Sequence, residues 1–169
     1  ESLLGSIMAR ASLIHDCPLY MLVLTRGDGG ECCRPEGCEP DLPTVRLGEM
    51  KKVAALYKAQ LQHEKFWNAP LPVESFPKRH EIAQKWLDYK DPTAVVTAAI
   101  LKFKPDIVLT FDPFKGFTGH PEHQLASRFA MAGIRKAAAI HRVSYTYFGL
   151  NKYMPWGGDP SEVTEVWDA

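Results

Sequence analysis

In the segment GHPEH at 119–123, two imidazoles stand three positions apart around a carboxylate, a few residues beyond the apolar run DIVLT at 106–110. Gly119 lets the backbone turn, Pro121 suits the first position of a helix, and Glu122 complements the positive end of the helix dipole. Residues three apart on a helix share a face, so His120 and His123 can point into one crevice. A neutral imidazole there can bind a metal, and a protonated one can stabilise an oxyanion or hand a proton to a leaving group. The same five residues also read as a capped helix start with two solvent-facing histidines. Two histidines alone fall short of the ligand set of a catalytic zinc.

A second candidate is TRGDGG at 25–30, where Gly27, Gly29 and Gly30 permit close backbone approach and Asp28 supplies a carboxylate or caps its own turn. A tight turn without a ligand fits these residues equally well, since the GxGxxG spacing of a dinucleotide site is absent. Three of the four cysteines, Cys32, Cys33 and Cys38, lie together in ECCRPEGC. That clustering matches neither a secreted disulfide framework nor paired CxxC ligands. It favours free thiols in a loop, over a loop metal site or a local disulfide.

The elements that must position these groups follow from periodicity. Leu3, Ile7, Met8, Ala11 and Ile14 recur at helical spacing, and LYMLVLT at 19–25 suits a buried strand. Residues 26–43 carry four glycines and three prolines, which predicts a long loop. A second helix is expected on Val45, Met50, Val53, Ala54, Tyr57 and Leu61, a short strand at 64–67, and a third helix on Ile82, Trp86 and Tyr89 that breaks at Asp91 and Pro92. A fourth helix, capped by Thr93, carries Val95, Val96, Ala99, Ile100 and Phe103 into the strand DIVLTF; a helix at about 121–139 and a strand at 143–148 repeat the order. This alternation predicts a three-layer α/β fold with a mainly parallel sheet, in which ligands bind beyond the carboxyl ends of strands. Both candidate segments occupy that position.

Chain length, 169 residues, suits a single domain. Twenty basic and twenty acidic side chains cancel, so the electrostatic footprint of a nucleic-acid-binding or anionic-membrane-binding protein is missing. No apolar run approaches the length of a membrane span, and no charged leader precedes an apolar secretory core. These features read as a cytoplasmic protein. Nothing in them bears on oligomeric state.

TRGDGG, VRLGEM with Arg46 and Glu49 at R-x-x-E spacing, KPDIVLTFD and GHPEH occur in the order found in the PIG-L/LmbE-like zinc N-deacetylases. The chain resembles that family from its first residue to about 130. The resemblance implies a Rossmann-like α/β fold and hydrolysis of an N-acetyl group from an N-acetylglucosamine-type conjugate, with Zn2+ as cofactor. Family members also carry H-P-D-D-E at the end of their first strand, and ESLLGSIMAR looks like the tail of that motif. Glu1 would be its last residue, so the expectation is a domain truncated at both ends. Its first strand, general base and two zinc ligands would then lie before residue 1.

Carried over by position, the resemblance makes His123 a zinc ligand and His120 the histidine that, protonated, steadies the tetrahedral intermediate and assists the leaving amine. Glu122, where the family more often has aspartate, would hold His120 in orientation. Arg46 would grip a hydroxyl or anionic part of the substrate, or pair with Glu49 on one helix; Asp28, Gly29 and Asp112 complete the expected substrate-binding set. Zinc lowers the pKa of bound water from about 15.7 to about 7, which brings amide hydrolysis within reach of neutrality. A non-catalytic sugar- or nucleotide-binding α/β module, or a degenerate family member, is the alternative.

Overall fold

The computed structural model describes residues 4–149, and contacts divide the chain between Lys78 and Arg79 into two compact units. In the first unit, α1 (Gly5–Ala9) runs into a π turn (Arg10–Ile14), followed by β1 (Tyr20–Thr25), α2 (Leu42–Leu56), β2 (Gln60–Phe66) and a 3-10 turn at Val73–Ser75. β1 and β2 pair in parallel with α2 as their crossover, the βαβ step that the sequence pattern predicts. Val23 pairs with His63, but Thr25 pairs with Phe66 where an unbroken register would give Lys65. One extra residue in β2 thus makes a bulge beside the TRGDGG turn.

The start of α2 is set by Asp41, whose Oδ1 accepts the Thr44 N–H at 2.8 Å, with Pro43 in the first turn. The helix ends earlier than its apolar spacing suggests: Tyr57 caps it, Lys58 takes a left-handed φ of 50°, and Leu61 belongs to β2. The expected strand at 64–67 is therefore longer and begins in the polar stretch Gln60–Gln62. In the loop before α2 Cys32 and Cys38 form a disulfide and Cys33 is a free thiol, as is Cys17 ahead of β1. This corrects the expectation of three free thiols there. Gly37, at φ 85°, turns the segment back so that the two Cα atoms lie 5.9 Å apart.

The second unit holds α3 (Arg79–Tyr89), α4 (Pro92–Phe103), β3 (Ile107–Phe111), α5 (Pro121–Ala137) and β4 (Tyr145–Gly149). β3 and β4 are parallel, Ile107 opposite Tyr145 through Phe111 opposite Gly149, with α5 as crossover. Asp91, not Thr93, caps α4: its Oδ1 accepts the Thr93 N–H at 2.8 Å, ahead of Pro92 at the first helical position. Ile82 and Trp86 of α3 are fully buried, and the Trp86 ring stacks on Phe129 of α5 with centroids 6.0 Å apart. Val95, Val96, Ala99 and Ile100 form the buried stripe of α4. Gly133 lets α5 lie close against it: a Cβ there would fall 2.5 Å from Val96 Cγ1. The result is an α/β fold with parallel strand pairing, as expected. The strand expected at 143–148 is β4, Tyr145–Gly149, and residues beyond 149 lie outside the described set.

Candidate active site around His120 and His123

α5 begins where β3 has just ended, and the loop between them is tied down residue by residue. Asp112 Oδ1 accepts the N–H groups of Phe114 (2.9 Å) and Lys115 (2.6 Å). The Asp112 carbonyl accepts Gly116 N–H at 2.8 Å, and Lys115 O accepts Gly119 N–H at 2.7 Å. Gly116 is required here, because its φ is 60° and a Cβ would meet Gln124 N at 2.8 Å and His120 O at 2.9 Å. Gln124 Nε2 donates to Gly119 O at 3.2 Å, and Arg79 donates to Gln124 Oε1 at 2.5 Å. Ser127, fully buried one turn further on, hydrogen-bonds the Phe111 carbonyl and fixes α5 to the end of β3.

Against this frame the two imidazoles take opposite proton arrangements. His123 Nδ1 lies 3.0 Å from Gly116 O, with Thr118 Oγ1 at 3.3 Å. A carbonyl only accepts, so Nδ1 carries the proton and Nε2 keeps its lone pair. His120 is itself the N-cap of α5: its Nδ1 accepts the Glu122 N–H at 3.2 Å. In the neutral ring the proton must then sit on Nε2. The ring centroids are 4.9 Å apart, and Phe111 packs on His123 at 4.7 Å.

Burial governs the charge of both rings. Desolvation, reinforced by the neighbouring His123, pushes His120 down to about 4. Desolvation also lowers His123, opposed by its hydrogen bond to the Gly116 carbonyl. Burial thus favours the uncharged form of both rings. In its neutral form His120 presents Nε2–H as a donor, while the role carried over from the family resemblance is that of an imidazolium.

The other sequence-predicted residues are distributed as follows. Glu122 is buried, at 6% exposure, and it is its main-chain N–H that holds the His120 ring. Asp112 shapes the loop through the two amide bonds above. In the first unit Asp28 is exposed in its turn. Gly29 donates its N–H to Asn68 Oδ1 (2.9 Å) and accepts Leu71 N–H (2.9 Å), so both of its main-chain groups serve the 68–71 loop. Arg46 is exposed, its guanidinium 3.5 Å from Glu31 O, and with Leu42, Val45, Glu49 and the disulfide loop it lines a shallow hollow.

Sequence reasoning missed the carbonyl of Gly116, the Arg79–Gln124 brace and the loop tip at Phe114. Only the glycine in FDPFKG hinted at them. It also passed over His63, which donates from Nε2 to Thr25 O at 2.7 Å and leaves Nδ1 buried without a hydrogen-bond partner.

His123 Nε2 is suited to a metal, since the protonated Nδ1 is already fixed to a carbonyl, the usual arrangement of a ligating imidazole. Among the described residues no group of three His, Cys, Asp or Glu side chains is placed to hold an ion. The model of the family PIG-L: GlcNAc-PI de-N-acetylase matches residues 3–134. The chain belongs to this family. As a PIG-L chain it is similar to the 1D-myo-inositol 2-acetamido-2-deoxy-alpha-D-glucopyranoside deacetylase of Mycolicibacterium vanbaalenii, 28% identical over an alignment of 155 positions that covers 83% of this chain and 50% of that protein. Shorter stretches match proteins of the same name from Mycolicibacterium gilvum (41% over 51 residues, 30% of this chain and 18% of that protein) and Saccharomonospora viridis (40% over 43 residues, 25% and 16%). The chain spans at most about half the length of these relatives. No helix among the described residues is long and apolar enough to cross a membrane.

Proposed function

We propose that this PIG-L chain is the core of a zinc-dependent N-deacetylase that removes the acetyl group from an N-acetylglucosaminide, releasing acetate and a free amine. The observation that carries this reading is the opposite tautomer assignment of His120 and His123. One ring offers a lone pair and the other a hydrogen-bond donor at the start of a single helix.

In this reading His123 Nε2 contributes one zinc ligand. Zinc, when bound, supplies the Lewis acidity that lets water attack an amide near neutral pH. His120, neutral and desolvated, directs Nε2–H at the acetyl oxygen as negative charge builds on it. A preorganised donor of this kind is worth about 3 kcal/mol in the transition state. Such a donor needs no prior protonation, so it works at pH 7 with a pKa of about 4. The main-chain N–H of Glu122 keeps the ring from rotating. The general base and remaining ligands are those of the family's HPDD motif, which does not occur in these 169 residues.

Arg46 and Asp28 are proposed to bind hydroxyl or anionic groups of the substrate; Gly29 and Asp112 support the loops on which substrate rests. One domain comprising both units is also part of this proposal. A cytoplasmic setting is kept only for the form with Cys32 and Cys38 reduced, since cytosolic thiol systems hold such pairs open. The experiment is acetate release by the full-length protein from methyl 2-acetamido-2-deoxy-α-D-glucopyranoside. Activity that disappears on chelation and returns with zinc supports the proposal, whereas absence of acetate with zinc supplied overturns it.

A further inference from the structure

Phe114 is 74% exposed at the tip of the loop that leads into GHPEH, an unusual place to leave a phenyl ring. The ring is nonetheless held. Its main-chain N–H is bonded to Asp112 Oδ1 at 2.9 Å. Arg128 from α5 donates Nε–H to the Pro113 carbonyl at 2.8 Å and sets its guanidinium carbon 5.6 Å above the ring centroid. One aromatic face is thereby backed by a cation and the other is open to solvent. Two residues on, Gly116 gives its carbonyl to His123. Two Cα–Cα steps span at most about 7.6 Å, so the Cα of Phe114 lies within that distance of the loop residue that orients His123.

The charge behind the ring selects its occupant. A cation on the open face would be repelled by Arg128, whereas the π charge of that face still attracts the weakly positive hydrogens of C–H groups, so the open face suits a neutral apolar surface. A pyranose or cyclitol presents such a surface in its axial C–H groups. We propose that Phe114 is a specificity-determining contact for the six-membered ring attached to the N-acetylglucosamine unit. The identity of that sugar rests on the deacetylase reading; the presence of an apolar-ring contact does not.

The test compares the methyl and cyclohexyl α-glycosides of N-acetylglucosamine with the full-length protein and its Phe114→Ala and Phe114→Tyr variants. Because the side chain is exposed, all three should melt alike. The expected result is a KM for the cyclohexyl glycoside raised about fivefold or more in Phe114→Ala, with kcat within about twofold and the methyl glycoside unaffected. Phe114→Tyr should retain the wild-type KM. An unchanged cyclohexyl KM, or an equal shift for both glycosides, overturns the inference. If the wild-type protein releases no acetate, the deacetylase reading fails and saturation-transfer NMR with the cyclohexyl glycoside decides this one. Binding that weakens in Phe114→Ala sustains the contact, while equal or absent binding overturns it.

Discussion

Gly133→Ala separates two physical effects of opposite sign. Position 133 lies inside α5, where alanine is favoured over glycine by about 1 kcal/mol through backbone entropy alone. Propensity therefore predicts a more stable protein. The packing predicts the reverse. A Cβ at this position would lie 2.5 Å from Val96 Cγ1, 2.7 Å from Val96 Cβ and 3.1 Å from Thr97 N, against about 3.5–4.0 Å for an ordinary carbon contact. Val96 can turn its methyl group away, but its Cβ moves only with the α4 backbone, so the two helices must part by roughly 1 Å. Overpacking of this kind costs about 1–3 kcal/mol, and the need to move backbone puts it near the upper end. The expected net loss is about 1–2 kcal/mol after the propensity gain is subtracted. Urea unfolding of the metal-free protein followed by tryptophan fluorescence should show a lower midpoint with an unchanged slope. In a Val96→Ala background the Cγ1 contact is gone while the Cβ contact remains, so the same substitution should still destabilise but by less, and the cycle should show coupling of about 0.5 kcal/mol. A Gly133→Ala protein that unfolds at higher urea than wild type would refute the close α4–α5 approach that aims the site.

Titration gives a second expectation. The folded His120 ring has a pKa of about 4 because it is desolvated and beside His123, whereas the unfolded chain should show the ordinary value near 6.5. The unfolded state thus takes up the proton first, so the ring's contribution to stability is whole above about pH 6.5 and is lost as pH falls toward 4. Long-range nitrogen–proton NMR of the metal-free protein should find His120 neutral and protonated at Nε2 at pH 6; a midpoint near 6.5 would contradict this. Cys38→Ser opens the Cys32–Cys38 ring, whose sequence separation is only 6, and chain entropy for so small a loop bounds the stability lost at about 2 kcal/mol. Thiol blocking in freshly lysed cells, followed by mass spectrometry, should find the pair oxidised if the protein works outside the reducing cytosol, and a fully alkylated pair returns it there.

How much of this was legible in the sequence depended on whether the signal was local. Helices α3, α4 and α5 announce themselves through apolar residues at helical spacing, and their buried members, among them Ile82, Trp86, Val96 and Leu125, are core residues in the structure. β2 was only half seen, because Gln60, Gln62 and His63 are polar and owe their strand conformation to pairing with Tyr20, Leu22 and Val23. The cap of α4 went to Thr93 rather than Asp91 since both precede the same apolar run and only the Asp91 carboxylate to Thr93 N–H bond distinguishes them. GHPEH marked the two histidines, but not which nitrogen each presents. That is decided by the carbonyl of Gly116 and the amide of Glu122, main-chain groups whose positions depend on loop conformation. The bond between Cys32 and Cys38 likewise follows from the turn at Gly37, which spacing alone does not specify.

The assignment of distinct roles to two histidines three residues apart is tested most directly by measuring bound zinc and acetate release together in His120→Ala and His123→Ala variants of the full-length protein. The account predicts that His123→Ala loses both, whereas His120→Ala keeps its zinc and loses acetate release by about 100-fold or more, the usual cost of removing an oxyanion donor. Zinc lost equally from both variants, or full acetate release by either, would contradict it.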